Sequence, residues 1–137
     1  NPEHEKFGYQ IIPDEFKNCG PLGGIYSCLK KSEKEWNFIL SVDAVFVETK
    51  FVRFLILETG EFDAVVPVHQ NGKEPLIAMY HKNCIPAIAT SINSGDFKMH
   101  HFLEKINANE INSLEWLQKY PRLFLNLNRP GDLNFSE

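Results

Sequence analysis

Residues 36–47, WNFILSVDAVFV, are apolar at both sets of alternating positions, and only Asn37, Ser41 and Asp43 interrupt the run. A strand that is apolar on both faces is normally covered on both faces, as in the middle of a parallel α/β sheet. The pattern therefore predicts a buried strand over residues 36–42, with Asp43 at the point where the chain leaves the sheet.

Strands and helices alternate along most of the remaining chain. Short apolar or alternating runs predict strands over residues 7–12, 62–68, 76–80 and 123–127. Apolar positions three and four residues apart predict helices over about residues 22–31, 48–59, 84–94 and 98–106, and a terminal helix is predicted to begin near Leu133. Residues 107–118 are ambiguous, but the spacing of Ile111, Leu114 and Leu117 favours a helix.

One local signal interrupts the alternation of strands and helices. Asn71-Gly72 lies between the predicted strands 62–68 and 76–80, and this dipeptide is the strongest short signal for a β-hairpin. The two strands are therefore expected to pair antiparallel. Together the elements predict one α/β domain, with a mostly parallel sheet and a local antiparallel hairpin.

The composition limits the class of protein. The 137 residues are 43% hydrophobic and 23% charged, which is typical of a soluble globular domain, and the net charge of −4 gives no sign of nucleic-acid binding. No apolar run approaches the ~20 residues of a membrane span, and the N-terminus is too polar for a signal peptide, so we expect a cytoplasmic protein. Cys19, Cys28 and Cys84 match no zinc or CxxC pattern and are expected to be reduced thiols.

Asp43 is the first candidate for chemistry. In open α/β sheets, ligands bind outside the carboxyl ends of the strands, and a carboxylate there is well placed to hold a divalent cation against phosphate oxygens. Aspartate is also a favoured N-cap residue, so Asp43 is equally expected to cap the helix that follows. The pattern leaves both interpretations open.

A glycine-rich segment, residues 16–24 with the sequence FKNCGPLGG, leads into the first predicted helix. A turn of this kind at a helix N-terminus can receive a phosphate or let a nucleotide approach the backbone. It lacks the GxxxxGK[ST] and GxGxxG patterns, however, and a tight strand-to-helix turn explains it at least as well.

Four short stretches in one order resemble the molybdenum cofactor guanylyltransferase family. They are GPLGGI at residues 20–25, DAVF at residues 43–46, EPLIAMY at residues 74–80 and FLNLNRPGDL at residues 124–133. The resemblance implies a three-layer, nucleotidyltransferase-type Rossmann-like fold. It also implies a magnesium-dependent transfer of GMP from GTP to molybdopterin, with release of pyrophosphate.

The resemblance assigns roles to particular residues. Asp43 matches the magnesium-binding carboxylate, which would make it the catalytic centre, and Asp14 matches a carboxylate that contacts the nucleotide. Gly20, Gly23 and Gly24 match the loop beside the guanosine. The residues that match the acceptor side of the site are Lys98, Asn126 and Asn128. Lys98 is otherwise expected to be an ordinary solvated lysine, and the two asparagines, which alternate on a predicted strand, are otherwise expected to serve turn chemistry.

Two departures from the family pattern affect these expectations. Val45 stands where the family has the proline of a D-x-P motif, which predicts a less rigid turn around Asp43. The family's opening L-A-G-G loop and its phosphate-binding lysine have no counterpart. We therefore expect residues 1–137 to form a single domain that is incomplete at its N-terminus. The missing β-loop-α unit would lie beside strand 36–42 and carry most triphosphate contacts, and without it that strand edge is expected to lack partners.

The departures also keep alternatives open. The fold is compatible with nucleotidyl transfer to another acceptor, such as a sugar phosphate, and with a non-catalytic domain that binds a pterin or a protein. In the leading hypothesis the partners are GTP, molybdopterin and other proteins of cofactor biosynthesis or molybdoenzyme maturation. Neither a nucleic acid nor a membrane is expected as a partner.

Overall fold

Six strands form one mixed sheet with helices on both faces in the computed structural model, which describes residues 7–12 and 19–127. The strands are β1 (Phe7–Ile12), β2 (Trp36–Ser41), β3 (Ala64–His69), β4 (Gly72–Lys73), β5 (Ile77–His81) and β6 (Ala108–Asn112). The helices are α1 (Gly20–Lys31), α2 (Thr49–Leu57), α3 (Ile85–Asn93), α4 (Met99–Leu103) and α5 (Leu114–Lys119), and a 3₁₀ turn (Lys82–Cys84) precedes α3. Within these described ranges, no helix is long and apolar enough to cross a membrane.

The strand directions confirm a mostly parallel sheet with one local hairpin. β1 runs parallel to β2, and β6 runs parallel to β3. β5 lies between β2 and β3 and is antiparallel to both, so β1, β2, β3 and β6 share one direction. The hairpin turns at Asn71-Gly72, where β4 pairs with the end of β3. The short-range turn signal therefore identified the strand that reverses direction.

Two apolar clusters, one on each face of the sheet, confirm the three-layer architecture. Side chains alternate in direction along a strand, so neighbouring residues of β2 enter different clusters. Ile39 packs with α1, α3 and α4, whereas Phe38 packs with α2 and with residues of α5. Asn37, Phe38 and Ile39 are all buried. The prediction of a strand covered on both faces is correct for β2.

The expected open edge beside residues 36–42 is not what the structure shows. β2 pairs along its whole length with β1 on one side, from Phe7↔Trp36 to Ile12↔Ser41, and with β5 on the other. β1 is instead the outermost strand at this end of the described sheet. Tyr9 and Ile11 on β1 are 51% and 67% exposed, and they form one wall of an open groove of about 340 Å³. The outer edge of the described sheet is therefore formed by β1 and not by β2.

Of two predicted elements near the C-terminus, one is correct only in its second half and the other is wrong. Residues 107–118, expected to be helical, form β6 followed by the short helix α5, because parallel pairing with β3 overrides the weak helical spacing. Residues 123–127, expected to be a strand, form turns: Leu123 N–H donates to Tyr120 O and Leu125 N–H to Arg122 O. Leu123 and Phe124 still pack in the core, whereas Leu127 is exposed. The predicted helix near Leu133 lies outside the described residues.

Candidate functional site

The turn that follows β2 presents Asp43. Ser41 N–H donates to Leu76 O at 2.9 Å. The hydroxyl oxygen of Ser41 accepts a bond from Asp43 N–H at 3.4 Å, and its carbonyl oxygen accepts one from Ala44 N–H at 3.1 Å. The Asp43 side chain is buried, with 3% exposure. These bonds hold the carboxylate at the carboxyl end of a central strand, as the resemblance implies for a metal ligand.

Val45 takes over part of the role expected of a proline. Its N–H donates to Asp43 O at 3.1 Å, a bond that proline cannot make because it has no N–H. The expected loosening of the turn is therefore offset by a hydrogen bond to the carbonyl of Asp43, which closes the backbone over Ala44.

The helix-capping alternative for Asp43 is wrong. α2 begins at Thr49, its N-cap residue is Glu48, and no side chain forms a capping hydrogen bond there. Asp43 thus lies five positions before the N-cap, separated from the helix by the rest of the turn. Its buried position is explained by the turn and not by the helix.

The C-terminal part of the described chain crosses the edge of the sheet beside Asp43. Leu127 N–H donates to Asp43 O at 3.3 Å, while Phe124 stacks on His69 at the end of β3. Half-buried Asn126 lies between these two anchors. The structure therefore brings Asn126 to the Asp43 turn, although through a turn rather than through the predicted strand.

The N-terminus of α1 lies at the same edge, because α1 follows β1 and β1 is parallel to β2. The helix begins at Gly20, earlier than predicted, so Gly23 and Gly24 belong to its first turns and not to a loop. Gly20 has a φ of 60°, a conformation that favours glycine, and a Cβ at Gly23 would lie 2.7 Å from the Cβ of Cys19. The N-cap residue Cys19 makes no capping hydrogen bond with its side chain, and the first turn of the helix has no acidic residue.

Lys98 is an exposed residue in the connection between α3 and α4. β5 runs away from the Asp43 edge and α3 follows it, which directs residues 94–98 back towards that edge. Lys98 N–H donates to Asp96 Oδ1, and His101 is hydrogen-bonded to the same carboxylate. Loss of hydration raises the pKa of Asp96, but the bonds from His101 and Lys98 outweigh it and leave the pKa below its usual value.

Two predicted site residues, Asp14 and Asn128, lie outside the described residues. Among residues 7–12 and 19–127, no group of three or more His, Cys, Asp or Glu side chains is arranged to hold a metal ion. Magnesium needs only one or two protein carboxylates, because water and phosphate oxygens complete its coordination. A single fixed carboxylate such as Asp43 fits that requirement.

His69 and Glu74 are features of this edge that the sequence analysis missed. His69 Nε2 lies 2.7 Å from Glu74 Oε2, across the hairpin, and the side chains are 12% and 26% exposed. The Asn71-Gly72 turn was a usable signal, because a tight turn brings residues on its two sides together. The contact of His69 with Phe124 joins distant parts of the chain and left no local signal.

Comparisons with known proteins agree in both sequence and structure. The model of the MobA-like NTP transferase domain matches residues 1–111. The chain is 34% identical over 133 residues to a probable molybdenum cofactor guanylyltransferase of Flavobacterium johnsoniae, covering 96% of this chain and 68% of that protein. It is 32% identical over 139 residues to a probable molybdenum cofactor guanylyltransferase of Bacillus velezensis, covering 96% of this chain and 69% of that protein.

A solved structure of a protein with a related name is also similar to this chain. The crystal structure of molybdopterin-guanine dinucleotide biosynthesis protein A from Archaeoglobus fulgidus superposes with a TM-score of 0.73 and 26% identity, covering 85% of this chain. The chain spans 60% of the length of that protein.

Proposed function

The chain belongs to the MobA-like NTP transferase family, and from that premise we propose that the protein transfers GMP from GTP to molybdopterin with release of pyrophosphate. The observation that carries the proposal is the buried Asp43 at the carboxyl end of β2, with residues 123–127 bound against its turn. The names of the relatives in F. johnsoniae and B. velezensis support guanylyl transfer to the molybdenum cofactor.

The proposed reaction is an in-line displacement at phosphorus. A phosphate oxygen of molybdopterin attacks the α-phosphorus of GTP, the bond to the bridging oxygen breaks, and pyrophosphate leaves with the electron pair. Side chains have little covalent chemistry to perform in such a transfer, so the protein acts by positioning the two substrates and by offsetting charge on the phosphates.

Asp43 would hold a magnesium ion through its carboxylate. When bound, magnesium offsets the negative charge that builds on the phosphates during transfer. The contribution of this chain is the fixed position of the carboxylate, because Ser41 and Val45 tie the backbone on both sides of Asp43. Burial also restricts the side chain to few conformations.

The remaining candidate residues divide into two groups around Asp43. The nucleotide group would be Asp14 together with the glycines at the start of α1, Gly20, Gly23 and Gly24. The acceptor group would be Lys98, Asn126 and Asn128. The position of the α1 N-terminus at the Asp43 edge supports the first group, because a helix N-terminus favours the negative charge of a nucleotide's phosphates. The anchored position of Asn126 supports the second group.

One ground for the non-catalytic alternative is weakened. That alternative relied partly on the missing proline of the D-x-P motif, which was expected to leave the turn less rigid. The hydrogen bond from Val45 N–H to Asp43 O stabilises the turn without the proline. We further propose that the protein works in the cytoplasm, and that its partners, beyond GTP and molybdopterin, include proteins of cofactor biosynthesis or molybdoenzyme maturation.

Labelled nucleotides test the proposed activity. The complete protein, incubated with magnesium, molybdopterin and GTP labelled at the α-phosphate, should transfer the label to the pterin and release one pyrophosphate per transfer. ATP and CTP labelled in the same way are the matched controls and should give little transfer. Label transferred to a sugar phosphate instead of molybdopterin, or equally well from all three nucleotides, would contradict the assignment.

A further inference from the structure

The ring of His69 is oriented by hydrogen bonds at both of its nitrogen atoms. Asn71 N–H donates to Nδ1 at 3.2 Å, and Nε2 lies 2.7 Å from Glu74 Oε2. Because Nδ1 accepts a hydrogen bond, the ring proton is on Nε2, which donates to Glu74. The side chain is 12% exposed, so the plane of the imidazole is fixed at the end of β3.

One face of this ring supports Phe124. The ring centroids are 5.3 Å apart and the planes differ by 21°, which is a stacked arrangement. Phe124 also meets the ring of Phe51 edge-on, with centroids 5.5 Å apart. Three residues later, Leu127 N–H donates to Asp43 O at 3.3 Å. Residues 124–127 are therefore anchored at both ends, with Asn126 between the anchors.

The hairpin itself does not require the His69 side chain. It is closed by backbone pairing of Val68 with Lys73 and of His69 with Gly72, and Glu74 N–H donates to Pro67 O at 2.9 Å. The Asn71-Gly72 dipeptide favours the turn on its own. What the imidazole adds is the contact with Phe124, far along the chain.

We propose that His69 is a positioning residue: oriented by Asn71 and Glu74, it holds Phe124 and thereby keeps Asn126 beside the Asp43 turn. In its functional part the inference rests on the proposed function, in which Asn126 contacts the acceptor. The Asp43 turn keeps its own bonds to Ser41 and Val45. Loss of His69 should therefore weaken binding of the acceptor more than binding of the nucleotide.

Amide hydrogen exchange tests the anchoring without reference to activity. In His69→Ala the amides of Leu125 and Leu127 should exchange about tenfold faster, because the segment opens locally, while amides of β2 and β5 keep their rates. Phe124→Leu should give the same result from the other side of the contact. His100→Ala, at an exposed histidine on α4, is the matched control and should change neither amide.

The conservative variants separate the stacked ring from the hydrogen bonds. His69→Phe keeps a ring against Phe124 and should restore most of the protection of Leu127, whereas His69→Gln, which keeps a donor for Glu74 but no ring, should not. Unchanged exchange at Leu127 in His69→Ala would overturn the proposal. So would full protection in His69→Gln, or faster exchange throughout β3 and β5.

Steady-state kinetics test the functional part. His69→Ala should raise the KM for molybdopterin by about tenfold, with a smaller change in the KM for GTP, because only one group of contacts is displaced. If Leu127 exchanges faster in His69→Ala but the wild-type protein transfers no GMP, the anchoring role of His69 stands and the proposed function is refuted. If the wild-type protein transfers GMP, and His69→Ala changes neither the exchange of Leu127 nor the KM for molybdopterin, the role of His69 is refuted and the proposed function stands.

Discussion

At the residue scale, Asn37 shows what the sequence pattern could not predict. It interrupts an apolar strand, yet it is fully buried, and its Nδ2 donates to Lys34 O at 3.0 Å. Its Oδ1 lies against Gly8 of β1, and a Cβ at that position would overlap it. The pairing of β1 with β2 therefore depends on a glycine opposite an asparagine, a relation that appears only once the register of the two strands is known.

Gly8→Ala should lower the free energy of unfolding by about 1–3 kcal/mol, because the new methyl group overpacks against Asn37. Denaturant unfolding measures the change, and a double-mutant cycle with Asn37→Ala identifies its cause. In the Asn37→Ala background the cost of Gly8→Ala should fall below about 0.5 kcal/mol, as for a neutral substitution. An equal cost in both backgrounds would mean that the overlap is not responsible.

At the element scale, the sequence predicted most helices and strands but not which apolar residues of an element are buried. In α2, Leu55 is fully buried against β3 and β5, whereas Leu57 is 81% exposed. Both leucines fit the predicted helix, and only the packing of α2 against the sheet distinguishes them. The same limit explains residues 108–112, where the decisive factor is pairing with β3, a contact distant in sequence.

The two leucines of α2 form a matched pair for a stability test. Leu55→Ala should lower the free energy of unfolding by about 2–5 kcal/mol, because it leaves a cavity in the core. Leu57→Ala removes the same atoms from an exposed position and should cost less than about 0.5 kcal/mol. Thermal or denaturant unfolding of the two variants compares them directly. Similar losses at both positions would show that α2 does not pack as described.

At the scale of the whole molecule, the carboxyl edge of the sheet gathers the candidate chemistry. Asp43, the start of α1 and Asn126 come from three separate parts of the chain, and the strand directions bring them together. The sequence predicted Asp43 from its place at the end of an apolar strand, and the family resemblance supplied Asn126. It did not predict that the segment 123–127 would be a turn, because the contacts that hold it reach back to His69 and Asp43.

The central claim is that Asp43 holds magnesium against the nucleotide. Calorimetric titration of the complete protein with GTP, with and without magnesium, tests it in wild type, in Asp43→Asn and in Glu61→Gln, which removes an exposed carboxylate as a charge-matched control. Magnesium should tighten GTP binding in wild type and in Glu61→Gln. In Asp43→Asn this effect should disappear while the thermal unfolding midpoint stays near that of wild type. Full magnesium enhancement in Asp43→Asn, or a loss of binding that merely follows a loss of thermal stability, would contradict the claim.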